Sequence, residues 1–314
     1  AAQLCRGGLS VMALVLVNPL ARGGRVRRLL PAMSAALDTL TPFPRLLVPT
    51  SVDDALDGLM REAEGARVVV VGGDGTLNRW LPALLARRLS VGLVPLGSGN
   101  DLARALGLNL QHWQTALADA LQGRSRPMDS GLAVWTDLQG EVHRTPFASS
   151  LTCGFDAAVG RRALQGPAWL YGLPRYLWAT LAEWRQLCHW TALGRTDTQD
   201  LPAGRMLFTS VLNTPTFGSG LPAAPAARID DARLDWLRAG PFDRWATLLM
   251  LPRLMRGTHL GHPLVQTGTF TSLELHCEEG LPLAADGEWL GLARQLRVSV
   301  DPLSLQMVRP LSAR

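Results

Sequence analysis

Short apolar runs alternate with helical patterns over the first part of the chain. The runs are rich in valine and leucine and end at glycine, proline or asparagine, as buried parallel strands do. Between them, apolar residues recur at helical spacing, for example Val26, Leu29 and Met33 after a glycine pair. Strands are predicted at Val11–Val17, Arg45–Val48, Arg67–Val71 and Val91–Pro95, and helices after Gly23-Gly24 and at 52–64, 77–86, 102–106 and 111–121. This alternation predicts βαβ units and a parallel sheet.

The pattern changes from Met128 onwards. Two runs at 130–135 and 141–150, joined by a polar turn, predict a β-hairpin. Further strands are predicted at 205–212, 233–238, 272–276 and 295–300, with one helical insert at 167–190. The sequence therefore predicts an α/β N-terminal domain over residues 1–127 and a C-terminal, mainly antiparallel β domain over 128–314. The last residues are expected to pack back on the first domain.

Two of the predicted strands end in clusters of small residues. Segment 68–78 runs from four valines into Gly-Gly-Asp-Gly-Thr-Leu-Asn, and segment 92–104 contains Pro-Leu-Gly-Ser-Gly-Asn-Asp. Glycines let the backbone turn sharply and bring N–H groups close to an anion. Either cluster alone also fits an ordinary strand–helix turn. Together, with carboxylates at Asp74 and Asp101, they indicate a phosphate-bearing nucleotide held with Mg²⁺ over the strand ends.

Composition narrows the range of partners. The chain is 47% hydrophobic and 18% charged, which indicates a globular protein with a large core. Its net charge is +5, and arginine supplies the basic side chains because the sequence contains no lysine. A Walker-type P-loop requires a lysine, so the sequence contains no such loop. The arginines fit either a GC-rich genome or attraction to an anionic lipid surface. No arginine cluster or aromatic motif indicates nucleic-acid binding.

Other sequence features favour the cytoplasm. The cysteines form no Cys-x-x-Cys pair, which argues against a zinc site and for a reducing compartment. No signal peptide is predicted, and Met12 is a candidate start. The apolar stretches 168–190 and 242–256 are interrupted by proline and arginine, so no membrane span is predicted. His259 and His262 are interpreted as loop residues without a matching ligand set.

The motifs resemble those of the diacylglycerol kinase-type lipid kinase family, which includes bacterial diacylglycerol kinases and sphingosine kinases. The resemblance begins with Gly-Gly-Asp-Gly-Thr-x-Asn at 72–78 and Pro-x-Gly-Ser-x-Asn-Asp-Leu-Ala-Arg at 95–104. It extends, in the family's order, to Asn18-Pro19, Thr50, Met128-Asp129-Ser130-Gly131, Gly154-Phe155-Asp156-Ala157 and Asp286-Gly287-Glu288. The family combines an α/β nucleotide domain with a β-rich domain, and ATP and lipid meet between them.

The resemblance implies a set of site residues. Glu288 would be the general base, with Asp74 and Asp101 organising the catalytic Mg²⁺. A second, structural Mg²⁺ would use Asp231 and backbone carbonyls near Arg228 and Arg233. The implied ATP contacts are Asn18, Pro19, Leu20, Ala21, Arg22, Thr50, Gly72, Gly73, Asp74, Gly75, Thr76, Leu77, Asn78, Arg79, Gly97, Ser98 and Asn100.

The chain departs from the family pattern at three of these places. Arg79 stands where the family usually has glutamate, which reverses a charge beside the phosphates. Ala232 replaces the glycine that follows the metal-binding aspartate. Ser98 replaces the threonine common in bacterial members and keeps the hydroxyl.

An aromatic group in the helical insert fits two interpretations. Trp and Tyr side chains favour the lipid interface, but they also pack cores. The group comprises Trp169, Tyr171, Tyr176, Trp178, Trp184 and Trp190.

The expected function is an ATP- and Mg²⁺-dependent lipid kinase at the inner face of the membrane, with diacylglycerol as the first candidate substrate. Three alternatives stay open: a kinase for a sphingoid base or another lipid, a soluble NAD kinase-like enzyme, and a non-catalytic lipid- or nucleotide-binding protein. The expected partners are ATP, a membrane lipid and an anionic membrane surface. The sequence does not decide between a monomer and a homodimer.

Overall fold

The computed structural model describes residues 13–167, 169–170 and 172–310. Cys5, Met12 and Tyr171 lie outside these ranges. The first part of the chain forms four strands, β1 (Leu14–Val17), β2 (Arg45–Leu47), β3 (Arg67–Gly72) and β4 (Ser90–Pro95). After a 3₁₀ turn at Arg25–Leu29 come five helices, α1 (Leu30–Leu37), α2 (Val52–Met60), α3 (Asp74–Ala86), α4 (Asp101–Ala105) and α5 (Trp113–Gln122).

The four strands are parallel and lie in the order β2-β1-β3-β4. All of β1 is buried, and so are the last five residues of β3 and of β4, because helices cover both faces of the sheet. Parallel strands bring their carboxyl ends to one edge. The ends of β1, β3 and β4 therefore adjoin, and the residues that follow them form the edge where such sheets bind ligands.

The second part is mainly antiparallel. Its strands are β5 (Arg124–Thr136), β6 (Val142–Phe147), β7 (Ser150–Gly154), β8 (Trp190–Thr191), β9 (Leu193–Thr196), β10 (Arg205–Met206), β11 (Phe208–Leu212), β12 (Leu234–Ala239), β13 (Val265–Phe270), β14 (Ser272–Ala285) and β15 (Glu288–Arg309). Its helices are α6 (Phe155–Leu164), α7 (Leu173–Trp184) and α8 (Arg244–Met255), with a short 3₁₀ turn at His259–Gly261.

Strand β15 joins the two parts. It pairs antiparallel with β14 and β5, and near its end Gln306 and Met307 pair in parallel with Ser90 and Val91 of β4. One sheet therefore runs through the described chain from β13 to β2. The predicted fold class, an α/β domain with a parallel sheet followed by an antiparallel β domain, is confirmed.

The elements of the second part differ from the prediction in extent. The predicted insert at 167–190 contains one helix, α7, which begins after Gly172 with φ of 57°, and α6, which ends before the insert at Leu164, was not predicted. Strands β14 and β15 are far longer than predicted, since register shifts let them continue past irregular points. The apolar stretch at 242–256 contains α8. Within the described ranges, no helix is long and apolar enough to span a membrane.

Candidate active site

The two glycine-rich loops touch each other backbone to backbone. A Cβ atom added to Gly73, after β3, would lie 2.6 Å from the Cα of Gly97, after β4. Real Cβ atoms do not approach so closely, so neither loop accommodates a larger residue here. Asn100 holds the second loop, because its Oδ1 accepts from the Gly97 N–H and its Nδ2 donates to the Gly97 carbonyl, both at 3.0 Å. The end of β1 joins them through Asn18, whose Nδ2 donates to Thr76 Oγ1 at 2.8 Å.

A central cavity of about 370 Å³ lies between the two parts of the chain. One wall consists of the glycine loops with Asp74, Thr76, Ser98 and Asp101, together with 20–22. The opposite wall comes from the second part of the chain: Ser149, Ser150, Thr152, Asp156, Arg175, Tyr176, the loop 217–219 and the turn 286–288. The cavity is thus rich in hydroxyls, carboxylates and backbone amides.

A side cavity of about 570 Å³ adjoins the central cavity within the first part of the chain. Leu20 and Thr76 line both, while Thr50 and Arg79 line the side cavity alone. Thr50 is fixed by Asp54, whose Oδ2 accepts from the Thr50 N–H at 2.8 Å. Trp80 and Val48 add apolar surface. A ligand with an apolar part and a charged part fits these two adjacent cavities.

An apolar cavity adjoins the central cavity on the other side. Asp156, Tyr176 and Phe217 line both of them. The other walls are apolar residues of β11, β12, α8 and neighbouring loops, among them Leu237, Met250 and Leu254. A cavity with several polar groups next to an apolar one suits an amphipathic ligand.

Asp156 stands at the junction of these cavities. Burial raises its pKa to about 7, although hydrogen bonds from the Ser210 hydroxyl and the Ala157 N–H act in the opposite direction. The side chain therefore carries a proton in a large fraction of molecules at neutral pH. It can either donate or accept a hydrogen bond at the mouth of the apolar cavity.

This raised pKa predicts a pH dependence of stability. The folded state binds the Asp156 proton up to about pH 7, whereas an unfolded aspartate loses it near pH ~4. The contribution is therefore full below pH ~4 and is lost as the pH rises towards 7. From pH 5 to pH 8, urea denaturation should show wild type losing about 2 kcal/mol more unfolding free energy than Asp156→Asn. Parallel curves for the two proteins would contradict this assignment.

Asp74 occupies the meeting point of the two glycine loops. Its oxygens accept the N–H groups of Asp101 and Leu102, at 2.9 and 3.3 Å. Burial raises its pKa to about 7, with a further contribution from the Asp101 carboxylate and a smaller one from Asp286. Asp74 lines the central cavity, and carboxylate oxygens are the ligands that a hard divalent cation such as Mg²⁺ takes. Asp74 therefore offers one carboxylate ligand to such an ion.

Asp101 connects the first part of the chain to the second. Its carboxylate accepts from Thr216 Oγ1 at 2.8 Å, from the N–H of Ser219 at 3.0 Å and from the N–H of Gly220 at 2.8 Å. Arg104 donates to it at 3.2 Å. Since both oxygens are engaged, Asp101 holds the loop 216–220 against the cavity and acts on Asp74 through its charge.

Glu288 lines the central cavity and forms an ion pair with Arg79. A single guanidinium nitrogen, Nη2, donates to both carboxylate oxygens, at 3.0 and 3.2 Å. Arg79 lies on α3, and Glu288 is the first residue of β15. The charge reversal at position 79 is therefore compensated by a carboxylate from the other end of the chain.

Asp286 is buried two residues before Glu288 and accepts four hydrogen bonds. Oδ1 accepts from the N–H groups of Ser149 and Ser150, and Oδ2 from Ala148 N–H and Asn78 Nδ2, at 2.7–3.0 Å. Burial raises its pKa, although these hydrogen bonds lower it. Asp286 thus fixes the turn 286–288, which places Glu288 beside Arg79 of α3.

Most of the residues implied by the resemblance line one of the two polar cavities. Four of the implied ATP contacts do not: the side chain of Leu77 is in the core, Asn78 binds Asp286, Asn100 holds its own loop, and Gly72 packs on Thr76. The residues of the implied structural metal site lie elsewhere: Asp231 is exposed, with Oδ1 accepting from the N–H of Arg233, and Arg228 pairs with Asp230.

Sequence reasoning missed several cavity residues. Ser149, Ser150 and Thr152 line the cavity from β7 and the turn before it, and Tyr176 lines it from α7. The loop 214–220, which holds Asp101, was also missed. Its Phe-Gly-Ser-Gly run was the one available signal, since small residues between strands often line a ligand site.

Comparison with known proteins identifies the class. Residues 12–133 match the family model of the diacylglycerol kinase catalytic domain, and residues 149–309 match the YegS C-terminal NAD kinase beta sandwich-like domain. A crystal structure described as a diacylglycerol kinase from Bacillus anthracis has a TM-score of 0.67 at 17% identity. It covers 96% of this chain and 98% of its own, which shows a shared fold.

Sequence relatives narrow this class to a family. A Mycobacterium tuberculosis protein named diacylglycerol kinase is 28% identical over 77% of this chain and 76% of its own length. A Pseudomonas aeruginosa protein named "Probable lipid kinase YegS-like" is 32% identical, over 78% and 77%. The chain belongs to the diacylglycerol kinase-type lipid kinase family.

Proposed function

We propose that the protein transfers the terminal phosphoryl group of Mg²⁺-ATP to a hydroxyl of a membrane lipid, with diacylglycerol as the first candidate and phosphatidic acid as its product. The observation that carries the proposal is the junction at Asp156 and Tyr176. There, the cavity that holds the carboxylates beside the glycine loops adjoins an apolar one. A lipid alcohol needs both environments, with its hydroxyl near the phosphate and its chain in apolar surroundings.

Glu288 is the proposed general base. Its carboxylate accepts the proton of the lipid hydroxyl as the hydroxyl oxygen forms a bond to the γ-phosphorus. The bond between this phosphorus and the β,γ-bridging oxygen breaks, and ADP leaves with the electron pair. General base catalysis of this kind contributes roughly 10²- to 10⁴-fold. The glycine-loop amides and Arg22, at the cavity wall, offer positive groups for the phosphates.

The proposed metal site is centred on Asp74. A bound Mg²⁺ would neutralise phosphate charge during transfer. Asp74 is held in place by the first N–H groups of α4, and Asp101 raises the local negative charge. For the second metal site we retain Asp231 with the carbonyls of Arg228 and Arg233 as a proposal.

The apolar cavity supports a lipid over NAD as the acceptor. Its volume is only about 80 Å³, too small for a complete acyl chain. The proposal therefore puts the part of the chain nearest the hydroxyl in the cavity and leaves the remainder in the bilayer. Sphingoid bases meet the same requirement, so both lipid classes belong in the assay.

Labelled ATP tests the proposal. Purified protein with Mg²⁺ and γ-labelled ATP is incubated in parallel with a total lipid extract, diacylglycerol, sphingosine and NAD, and the products are separated by thin-layer chromatography. We expect labelled phosphatidic acid and no labelled NADP. Label on NAD alone would support the soluble-kinase alternative. Binding of Mg²⁺-ATP without transfer to any acceptor would support the non-catalytic one.

We further propose that α7 and α8 contact an anionic membrane surface. Helix α8 lines the apolar cavity with Met250 and Leu254, yet Trp245 and Leu249 on the same helix are each 70% exposed. The ring of Trp184, on α7, packs edge-on against Trp245. Trp169, one of the sequence-predicted interfacial residues, is also exposed, whereas Trp190 packs against the core.

The charges around α7 and α8 also support the proposed membrane contact. Exposed arginines flank the apolar residues at the ends of both helices: Arg185, Arg244, Arg253 and Arg256. Each basic side chain near an anionic leaflet adds about 1 kcal/mol of attraction. An exposed apolar face beside a lipid cavity, bordered by arginine, fits interfacial binding.

Replacing Trp245 and Leu249 together with alanine is expected to weaken binding to anionic vesicles about tenfold or more, because apolar side chains leave the interface. Sedimentation with phosphatidylglycerol-containing vesicles measures the effect. Val142→Ala is the control, since Val142 is 69% exposed but lies on β6. Equal vesicle binding by the double variant and wild type would contradict the membrane proposal and leave the kinase proposal intact.

A further inference from the structure

The Arg79–Glu288 pair crosses the boundary between two cavities. Arg79 lines the side cavity, whereas Glu288 lines the central cavity. The shared wall residues Leu20 and Thr76 show that these cavities are adjacent. The proposed base is thus held by a cation that also belongs to the cavity suited to a nucleotide.

The geometry and exposure of the Arg79–Glu288 ion pair make it weak. Arginine pairs most strongly when two of its nitrogens meet two carboxylate oxygens in parallel, but here Nη2 alone serves both oxygens of Glu288. The Arg79 side chain is 50% exposed and that of Glu288 is 26% exposed. Water and salt screen such a pair, so its contribution to stability is at most about 1 kcal/mol.

A terminal phosphate is a stronger partner for the same guanidinium. It carries more negative charge than a carboxylate and offers oxygens that match the fork of arginine donors. Arg79 lies one turn into α3, whose first residues form the glycine loop beside the central cavity. Its long side chain therefore reaches towards the region where the phosphates of the proposed nucleotide would lie.

We propose that Arg79 is an exchangeable counter-ion and a positioning residue for the base. Without a nucleotide it holds Glu288; when a nucleoside triphosphate binds, it moves to the terminal phosphate and releases both oxygens of Glu288. The inference rests on the proposed function and adds an order of events to it, in which nucleotide binding precedes proton transfer to Glu288. Glu288 becomes free to accept the lipid proton only when a transferable phosphate is present.

The test is nucleotide affinity without turnover. Isothermal titration calorimetry measures the binding of a non-hydrolysable ATP analogue and of ADP, both with Mg²⁺, to the full chain. Glu288→Gln should bind the ATP analogue about fivefold more tightly than wild type, which corresponds to the ~1 kcal/mol of the lost competing pair. Its ADP affinity should be unchanged, because ADP lacks the γ-phosphate to which Arg79 is proposed to move.

Two further variants isolate Arg79. In an Arg79→Gln background, Glu288→Gln should produce no gain, since the exchanged cation is absent. In an Arg27→Gln background the fivefold gain should persist, because Arg27 lines the side cavity, whereas the ion pair of Glu288 is with Arg79. A gain that survives Arg79→Gln would mean simple charge repulsion by Glu288 and would overturn the exchange.

Other outcomes also decide between the two proposals. Equal gains for the ATP analogue and ADP, or no gain for either, would overturn the exchange and leave the proposed function standing, because phosphoryl transfer to a lipid is tested separately. A wild-type protein that binds neither nucleotide would overturn the proposed function and the exchange with it.

Discussion

Replacing Asp74 with asparagine is expected to lower phosphoryl transfer by at least about 10³-fold, the largest effect on activity that we predict. The change keeps the size of the side chain but removes the charge at the meeting point of the glycine loops. The proposed metal site then loses its central ligand, and the phosphate charge stays uncompensated. Initial rates with γ-labelled ATP and lipid vesicles measure the effect.

Two controls make this result specific. Asp57→Asn removes an exposed carboxylate from α2, outside the cavities, and should leave the rate unchanged. Urea denaturation of Asp74→Asn should show a folded protein, so that a lost rate reflects lost chemistry. If Asp74→Asn kept more than about a tenth of the wild-type rate, Asp74 would not hold the metal.

Replacing Asp286 with alanine is expected to lower the free energy of unfolding by about 3–5 kcal/mol. Four hydrogen-bond donors converge on this buried carboxylate: the N–H groups of residues 148–150 and the amide of Asn78. Without it the backbone donors stay buried and unpaired. Asp286 also has φ of 47°, a backbone conformation that alanine tolerates poorly. Urea denaturation followed by circular dichroism measures the loss.

Asp301→Ala is the matched control for this prediction. Asp301 lies on the same long strand β15 but its side chain is exposed, so the unfolding free energy should change by no more than about 0.5 kcal/mol. Asp286→Asn should lie between the two, because the amide keeps one acceptor oxygen. A loss below about 1 kcal/mol for Asp286→Ala would show that Asp286 does not hold the turn.

Local sequence pattern was a good guide to the first half of the fold. Buried parallel strands read as continuous apolar runs, and β3 and β4 were predicted to within one residue at each end. The second half was harder. Long antiparallel strands with bulges, such as β14 and β15, lose their alternation at each irregularity, so only their most regular segments stand out.

The candidate site, like the fold, could be predicted from the sequence only in part. The glycine loops and the carboxylates within them are local features, and parallel strands bring their ends to one edge whatever the rest of the chain does. The polar wall opposite them could not be predicted. Ser149, Thr152 and Tyr176 are unremarkable in sequence, and only the packing of β7 and α7 brings them to the cavity.

The sequence by itself determined the family, the α/β and β architecture and the loops that would hold phosphate, because these depend on short segments with their own conformational preferences. Only the tertiary structure determined which distant side chains contact each other. Arg79 pairs with Glu288 across 209 positions, Asn78 with Asp286 across 208, and Asp101 with Thr216 across 115. An exposed or polar side chain carries no local signal of a distant partner, so such pairs follow only from the path that β15 and the loop 214–220 take through the folded chain.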